Sequence, residues 1–158
     1  MTRRSSKLEA ALRAERIEYV ASQLLPHAAI VTRLLIKQVD GEISRTEAGV
    51  LSTLIAAPRR ITELAELEGL AQPTMTLLVQ RLEQRGWVKR ERRADDGRVV
   101  LVSLTEAGSA TLEEFRAQVG AALRVHMDAM SYEQIAALET ATEALGSLVD
   151  TFLSGTAK

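Results

Sequence analysis

One change of hydrophobic period, in the segment 87–104, constrains the fold more than any other feature of the sequence. The residues before and after this segment have helical spacing, whereas its second half alternates apolar and polar side chains, as in a half-buried strand. The dipeptide Asp96-Gly97 separates two runs, 87–92 and 98–104, and suits a two-residue hairpin turn. The sequence therefore predicts one β-hairpin among helices, a mainly α fold with a small β component.

The composition agrees with a helical core. The chain has 158 residues, the size of one domain or of one domain with an arm. Because only five residues are aromatic, the core has to be built from Leu, Ala, Val and Ile. These residues favour packed helices over a β-sandwich.

Two short helices joined by a tight turn are predicted before the hairpin. We expect the first to begin with Thr62 as its cap and to end at Gly69. The second is expected over 72–85, with Pro73 in its first turn and Gly86 after its end. Because only two residues separate Gly69 from the second helix, the pair has the pattern of a helix-turn-helix.

The N-terminal region has helical spacing over 7–25, and Pro26 then predicts either a kink or a new helix over 26–39. That stretch is apolar nearly all round, so we expect it to be buried between elements or between subunits. The pattern Ser44 to Glu47 is a capping box that opens a helix to about residue 56.

The remaining elements are a very short strand and two helices. The strand is expected at 59–61, and one helix at 105–128. A capping box at 131–134 opens a last helix, which runs to Phe152 with a long apolar stripe.

Several functional classes are excluded by composition and motif. The chain has no cysteine and two histidines, His27 and His126, which excludes thiolate metal sites and cysteine nucleophiles and disfavours metal hydrolases. There is no glycine-rich phosphate loop, no nucleophile–base pair and no catalytic carboxylate pair, so we expect neither an enzyme nor a cofactor. The N-terminus has no apolar core and no apolar run approaches the roughly 18 residues of a membrane span, which predicts a cytoplasmic protein.

The net charge of −1 conceals an uneven distribution. Residues 1–58 carry 8 basic and 6 acidic side chains, 59–98 carry 9 and 7, and 105–158 carry 3 and 8. The middle segment contains a basic stripe of Arg81, Arg85, Lys89, Arg90, Arg92, Arg93 and Arg98. Such a stripe indicates contact with a polyanion, the alternative being an ordinary solvated surface.

The predicted helix over 72–85 has two faces. At about 100° per residue, Met75, Leu78, Val79 and Leu82 lie together and are expected in the core. The opposite side carries Pro73, Leu77, Gln80 and Gln84, flanked by Thr74, Thr76 and Arg81, a set that can form hydrogen bonds and contact thymine methyl groups. We call these seven residues the reading face, because they are suited to the major groove of DNA.

The hairpin supplies a second predicted contact. Arg92, Arg93 and Arg98 surround its tip, and arginine on a thin β-ribbon can enter the narrow minor groove. Asp96 can orient Arg98 by a bidentate pair, and it also suits the turn itself; the two roles are compatible. Phosphate contacts, which position a protein without specifying sequence, are expected from Arg59, Arg60, Lys89 and Arg90.

The order of these elements resembles the MarR family (multiple-antibiotic-resistance regulators) of winged helix-turn-helix transcription factors, over about residues 24–153. The most specific part is RLEQRGWVKRERRADDGRVVLVSLTEAG at 81–108. It is similar to the family's run from the end of the recognition helix, through the D-x-R of the wing, to L-T-x-x-G at the next helix. The resemblance makes Arg98 the minor-groove residue and places the start of the recognition helix at Gln72, Pro73, Thr74 and Thr76.

The resemblance also implies an architecture and a mode of action. An α+β winged-helix DNA-binding domain at 44–104 would lie between N-terminal helices at 1–43 and C-terminal helices at 105–158, which form a homodimer. Two recognition helices about 34 Å apart would then read a pseudo-palindromic duplex.

Many members of the family are released from DNA by small phenolic or anionic effectors. By position the candidate contacts here are His27, Arg33 and Arg45, whose alternative role is a surface or interface hydrogen bond.

A function of another class stays open. A winged helix with a helical dimer could dock proteins and never bind specific DNA. A steep fall of affinity with salt would identify phosphate contacts, whereas protein docking need not have that dependence.

Overall fold

A computed structural model of the chain describes residues 2–39, 42–92 and 100–155, with side chains from 7 to 152 within those ranges. Its elements in chain order are α1 (Thr2–Ile36), α2 (Arg45–Leu54), β1 (Arg59–Arg60), α3 (Ile61–Leu67), α4 (Gln72–Gln84), β2 (Val88–Arg92), β3 (Val100–Leu104), α5 (Glu106–Met127) and α6 (Tyr132–Gly155). The mainly α fold with a small β component is confirmed.

The sheet has three antiparallel strands in the order β1-β3-β2. Strands β2 and β3 form the predicted hairpin, with Val88 opposite Leu104 and Arg92 opposite Val100. The two residues of β1 pair with the other side of β3, Arg59 opposite Val102. The turn at Asp96-Gly97 lies outside the described residues.

The two helices of the helix-turn-helix end in the same way. After α3, Gly69 has a φ of +64° and the Leu70 amide donates to the Ala65 carbonyl at 2.9 Å. After α4, Gly86 has a φ of +75° and the Trp87 amide donates to the Leu82 carbonyl at 2.9 Å. A left-handed residue followed by this backbone bond is the Schellman motif, which glycine adopts without strain.

The expected cap at Thr62 is wrong. The N-cap position is Arg60, two residues earlier, so helix α3 begins at Ile61 and Thr62 lies inside its first turn. The Arg60 backbone amide instead donates to the Glu63 carboxylate at 3.0 Å. A glutamate at the third helical position can satisfy that amide without a hydroxyl cap, which is half of a capping box.

Both predicted capping boxes are confirmed. At the start of α2, the Ser44 amide donates to Glu47 Oε2 at 2.8 Å and the Glu47 amide donates to Ser44 Oγ at 3.3 Å. Before α6, Ser131 and Gln134 exchange the equivalent bonds at 2.9 and 3.3 Å.

Helix α1 continues through Pro26 as one helix of 35 residues. A new helix at Pro26 is therefore wrong. Proline removes one backbone hydrogen bond, and a long helix has enough remaining bonds to continue. Burial of 26–39 between elements of the same chain is wrong for most of the stretch, since Ile30, Val31 and Leu34 are exposed and Leu35 is buried. Burial between subunits stays a prediction.

The described residues include one helical segment, Lys7–Ile36, that is long and apolar enough to cross a membrane by length and composition alone. Helices in protein cores meet the same two criteria. The segment contains Ser22, Gln23, His27 and Arg33, so it is not an uninterrupted apolar run.

The hydrophobic core is built around the helix-turn-helix and the sheet. Its fully buried members include Val50 and Leu51 of α2, Leu64 of α3, Val79 of α4 and Val102 of β3. The start of α5 closes it, with Leu112 and Phe115 buried. This packing holds α4 and the hairpin in one body.

The chain divides into two compact units, residues 1–119 and 120–158. The first contains α1 to α4, the sheet and the start of α5, and the second contains the end of α5 and α6. The division into regions at 1–43, 44–104 and 105–158 stays a prediction about function.

Candidate nucleic-acid interface

The two faces of α4 are separated as the period predicts. Met75, Leu78, Val79 and Leu82 are at most 3% exposed. On the reading face, Thr76 is half-buried and the other six residues, Pro73, Thr74, Leu77, Gln80, Arg81 and Gln84, are exposed. Gln72, the first residue of α4, is also exposed. The core therefore fixes the helix from one side and leaves the reading face available to solvent.

The first turn of α4 is built without a polar side-chain cap. Ala71 occupies the N-cap position in an extended conformation and offers no side-chain acceptor, while Pro73 in the first turn needs no amide partner. One turn later the Thr76 hydroxyl donates to the Gln72 carbonyl at 2.9 Å. That bond occupies the hydroxyl hydrogen of Thr76 and leaves its oxygen able to accept.

Strand β2 brings a row of charged side chains beside α4, but acidic partners occupy two of its cations. Lys89 Nζ lies 3.0 Å from Glu91 Oε1. Arg90 Nε donates to Glu83 Oε2 of α4 at 2.8 Å. Lys89 and Arg90, both predicted phosphate contacts, are therefore partly neutralised in the free protein.

The Glu83–Arg90 pair shifts both pKa values in the direction expected of an ion pair. The hydrogen bond from Arg90 holds the pKa of the Glu83 carboxyl below its ordinary value, and the bond from Glu83 raises the pKa of the Arg90 guanidinium. Because the pKa of Glu83 is lowered on folding, the pair stabilises the fold above the unfolded carboxyl pKa. That stabilisation is lost as the pH falls through the lowered value. Both side chains are about one-third exposed, so solvent screening keeps it small.

The other basic candidates lie in different environments. Arg60 and Arg92 are exposed. Arg59 is half-buried, and its Nε is a buried atom without a hydrogen-bond partner in the described part of the chain. Arg93, Asp96 and Arg98 lie outside the described residues, so their roles at the wing tip stay predictions.

A residue not singled out from the sequence, Arg85, connects the end of α4 to the segment before α2. One guanidinium nitrogen donates to the Glu42 carbonyl at 2.7 Å and lies 3.9 Å from the buried Glu47 carboxylate. The guanidinium also lies over the Trp87 ring, 4.7 Å from its centroid. In the sequence, Arg85 was noted only as part of the basic stripe. Its contacts with Glu42 and Glu47 join residues 43 and 38 positions apart, and such distant contacts produce no periodic pattern.

The three effector candidates are exposed. His27 and Arg33 lie on α1, six residues and therefore about 120° apart around the helix, and Arg45 begins α2. Two depressions among the described residues are lined by other side chains. Glu42, Arg85 and Trp87 line one of them, and five residues of α1 between Leu12 and Val20 line the other. Within the described residues, no cluster of three or more His, Asp or Glu could hold a metal ion.

Comparison with known proteins agrees with this geometry. Residues 43–100, which contain α2 to β2, match the model of the MarR family. The chain is 28% identical over 105 residues to an uncharacterized HTH-type transcriptional regulator, YpoP, from Bacillus subtilis strain 168, covering 61% of this chain and 74% of YpoP.

Solved structures agree over a longer span. A mutant MarR from E. coli superposes with a TM-score of 0.68 at 25% identity, covering 80% of this chain and 95% of that one. A MarR family protein from Bacillus stearothermophilus has a TM-score of 0.58 at 26% identity, covering 95% of this chain and 99% of that one. Residues 43–100 thus match the MarR family, and the fold is that of solved MarR family structures.

Proposed function

We propose that this protein is a cytoplasmic, sequence-specific regulator that binds double-stranded DNA as a homodimer on a pseudo-palindromic operator. The observation that carries the proposal is the exposed reading face of α4 beside the basic β2–β3 hairpin, both fixed on one core. The side chains available there, amides, hydroxyls, a leucine and an arginine, are those that contact base edges in a major groove.

The homodimer is supported by apolar side chains that a single chain leaves in water. On α6, Leu138, Leu145, Leu148 and Phe152 are each at least 40% exposed. A monomer rarely keeps so large an apolar stripe exposed, so a second copy is its natural partner.

The regulator is proposed to act as a repressor that a small anionic or phenolic effector releases. The exposed Arg33 and Arg45 guanidinium groups are suited to a carboxylate or phenolate, and His27 supplies a further donor. Cysteine oxidation is not an available signal because the chain has none.

The first test is a titration of a fluorescent duplex from the protein's own upstream region, at several salt concentrations, against a scrambled duplex. We expect selective binding that weakens steeply with salt, as phosphate contacts release counterions. Arg98→Ala should weaken binding about tenfold, in line with the ~1–3 kcal/mol of a specific arginine contact. Arg124→Ala, an exposed arginine of α5 far along the chain from the helix-turn-helix, is the matched control and should bind as wild type does.

Binding that ignores both sequence and salt would favour the second candidate, a protein-docking winged helix. With a working duplex, aromatic acids and phenols are then screened for DNA release. The double variant Arg33→Ala/Arg45→Ala should need higher concentrations than wild type for release. Equal release from both proteins would remove these arginines from the effector site.

A further inference from the structure

A leucine stands exposed in the middle of the reading face. The Leu77 side chain is 62% exposed, although the residues on either side of it, Thr76 and Leu78, are half-buried and buried. The core is complete without Leu77, because the fully buried face of α4 lies on the other side of the helix. Leu77 therefore has no packing role within the described chain.

The surroundings of Leu77 on the helix divide into an apolar and a polar half. One turn before Leu77, exposed Pro73 adds a second apolar surface. Thr76, the residue directly before Leu77, is half-buried, and its hydroxyl donates its hydrogen to the Gln72 carbonyl. One turn after it, Gln80 and Arg81 are exposed polar groups. Leu77 thus lies between an apolar side chain and polar ones. Such a surface is complementary to a base sequence in which a methyl group lies next to base edges that form hydrogen bonds.

A leucine can distinguish bases in the major groove in only one way, since it has no donor or acceptor. The apolar group that the four base pairs present there is the C5-methyl group of thymine. Cytosine has an N4 amino group and no methyl group, so a leucine beside it would desolvate a donor without pairing it. Given that the protein binds DNA as proposed above, we propose that Leu77 is a specificity-determining residue that contacts the C5-methyl group of a thymine in each half-site.

Removal of single methyl groups from the DNA tests this contact. Wild-type protein first selects its operator from a random duplex pool, and each thymine of the consensus half-site is then replaced singly by deoxyuridine, which lacks only the methyl group. We expect one replacement to weaken wild-type binding about fourfold, the factor that corresponds to burial of one methyl group. Leu77→Ala should bind the thymine duplex more weakly and lose the difference between thymine and uracil at that position.

Leu67→Ala is the matched control, because Leu67 is a leucine of similar exposure, 60%, at the end of α3. It should keep the thymine preference of wild type. Thermal melting of both variants checks the fold, and alanine at either exposed helical position should be tolerated.

The outcomes separate this inference from the proposed function. If no consensus emerges from the pool, sequence-specific binding fails and the Leu77 contact fails with it. If a consensus emerges but uracil replacement affects wild type and Leu77→Ala equally at every position, DNA binding stands and the methyl contact is overturned.

Discussion

At the scale of single residues, the junction between β3 and α5 depends on one hydroxyl and one missing side chain. Thr105 Oγ1 donates to the Gly86 carbonyl at 2.6 Å and accepts from the Gly108 amide at 3.0 Å. A Cβ at Gly108 would lie 2.0 Å from the Trp87 carbonyl oxygen. The threonine and glycine of the L-T-x-x-G run are therefore required by contact between the start of α5 and the end of the helix-turn-helix.

Gly108→Ala is expected to lower the free energy of unfolding by about 1–3 kcal/mol, because the added methyl group meets backbone that has little room to move. Denaturant unfolding followed by circular dichroism measures the change. Gly120→Ala is the control in the same helix, since its Cβ would meet only Arg124 at 3.8 Å, an ordinary contact. It should gain roughly 0.5–1 kcal/mol from better helix propensity, and an equal loss in both variants would show that helical position and not the Trp87 contact matters.

At the scale of elements, helix α4 is held at its end by Arg85. The contacts of this arginine with the Glu42 carbonyl and the Trp87 ring join α4 to the chain that leads into α2. The exposed arginine one turn earlier, Arg81, belongs instead to the reading face. Two arginines of the same helix should thus have separable roles, one in stability and one in DNA binding.

Arg85→Ala is expected to lower the free energy of unfolding by about 1 kcal/mol, from the loss of a charge-assisted hydrogen bond and a partly exposed cation–π contact. Arg81→Ala should stay within about 0.5 kcal/mol of wild type in stability and should weaken DNA binding. Unfolding curves and duplex titrations on both variants give the comparison. The assignment would be contradicted if Arg81→Ala were the less stable of the two.

At this scale the sequence predicts the helix caps and helix ends that depend on residues close together in the chain. The Ser44–Glu47 box and the left-handed stops at Gly69 and Gly86 were predictable because each motif lies within a few residues. The start of α3 was misplaced because Thr62 and the Arg60 amide offer competing ways to cap it, and the glutamate decides between them. The continuation of α1 through Pro26 depends on the length of the whole helix, which the residues around the proline do not specify.

The candidate site was predictable only in outline. The hydrophobic period of α4 identifies the reading face, but it gives no information about ion pairs between different elements. The bond from Arg90 to Glu83 joins a strand to a helix and removes a cation that composition counts as free. The ion pair of Lys89 and Glu91 could have been predicted from the sequence, because residues two apart lie on the same side of a strand.

At the scale of the whole molecule, α6 has the pattern of an association surface. Leu138, Ala141, Leu145, Leu148 and Phe152 are spaced alternately three and four residues apart, which places them on one side of the helix. The acidic residues Glu139, Glu143 and Asp150 lie around the other side. The 24 residues of α6 are therefore amphipathic and suited to pair with a second chain.

The double variant Leu145→Glu/Leu148→Glu is expected to convert a dimer into a monomer, because it places charges in the apolar stripe. Analytical ultracentrifugation measures the mass. DNA affinity should fall by about a hundredfold or more, since two half-sites are no longer bound together. Ser147→Glu, away from the stripe, should remain dimeric, and a dimeric double variant would place the interface elsewhere.

The row of charged side chains on β2 also affects how the free protein associates with other protein molecules. Within the described residues β2 pairs only with β3, so the outer hydrogen-bonding edge of the small sheet is open. An open edge is a template for strands of other molecules. Lys89, Arg90, Glu91 and Arg92 occupy four consecutive positions there and are all exposed, so an approaching strand would have to strip water from a charge at every step. The charges through which the hairpin is proposed to contact DNA are therefore also expected to protect the protein against aggregation at high concentration.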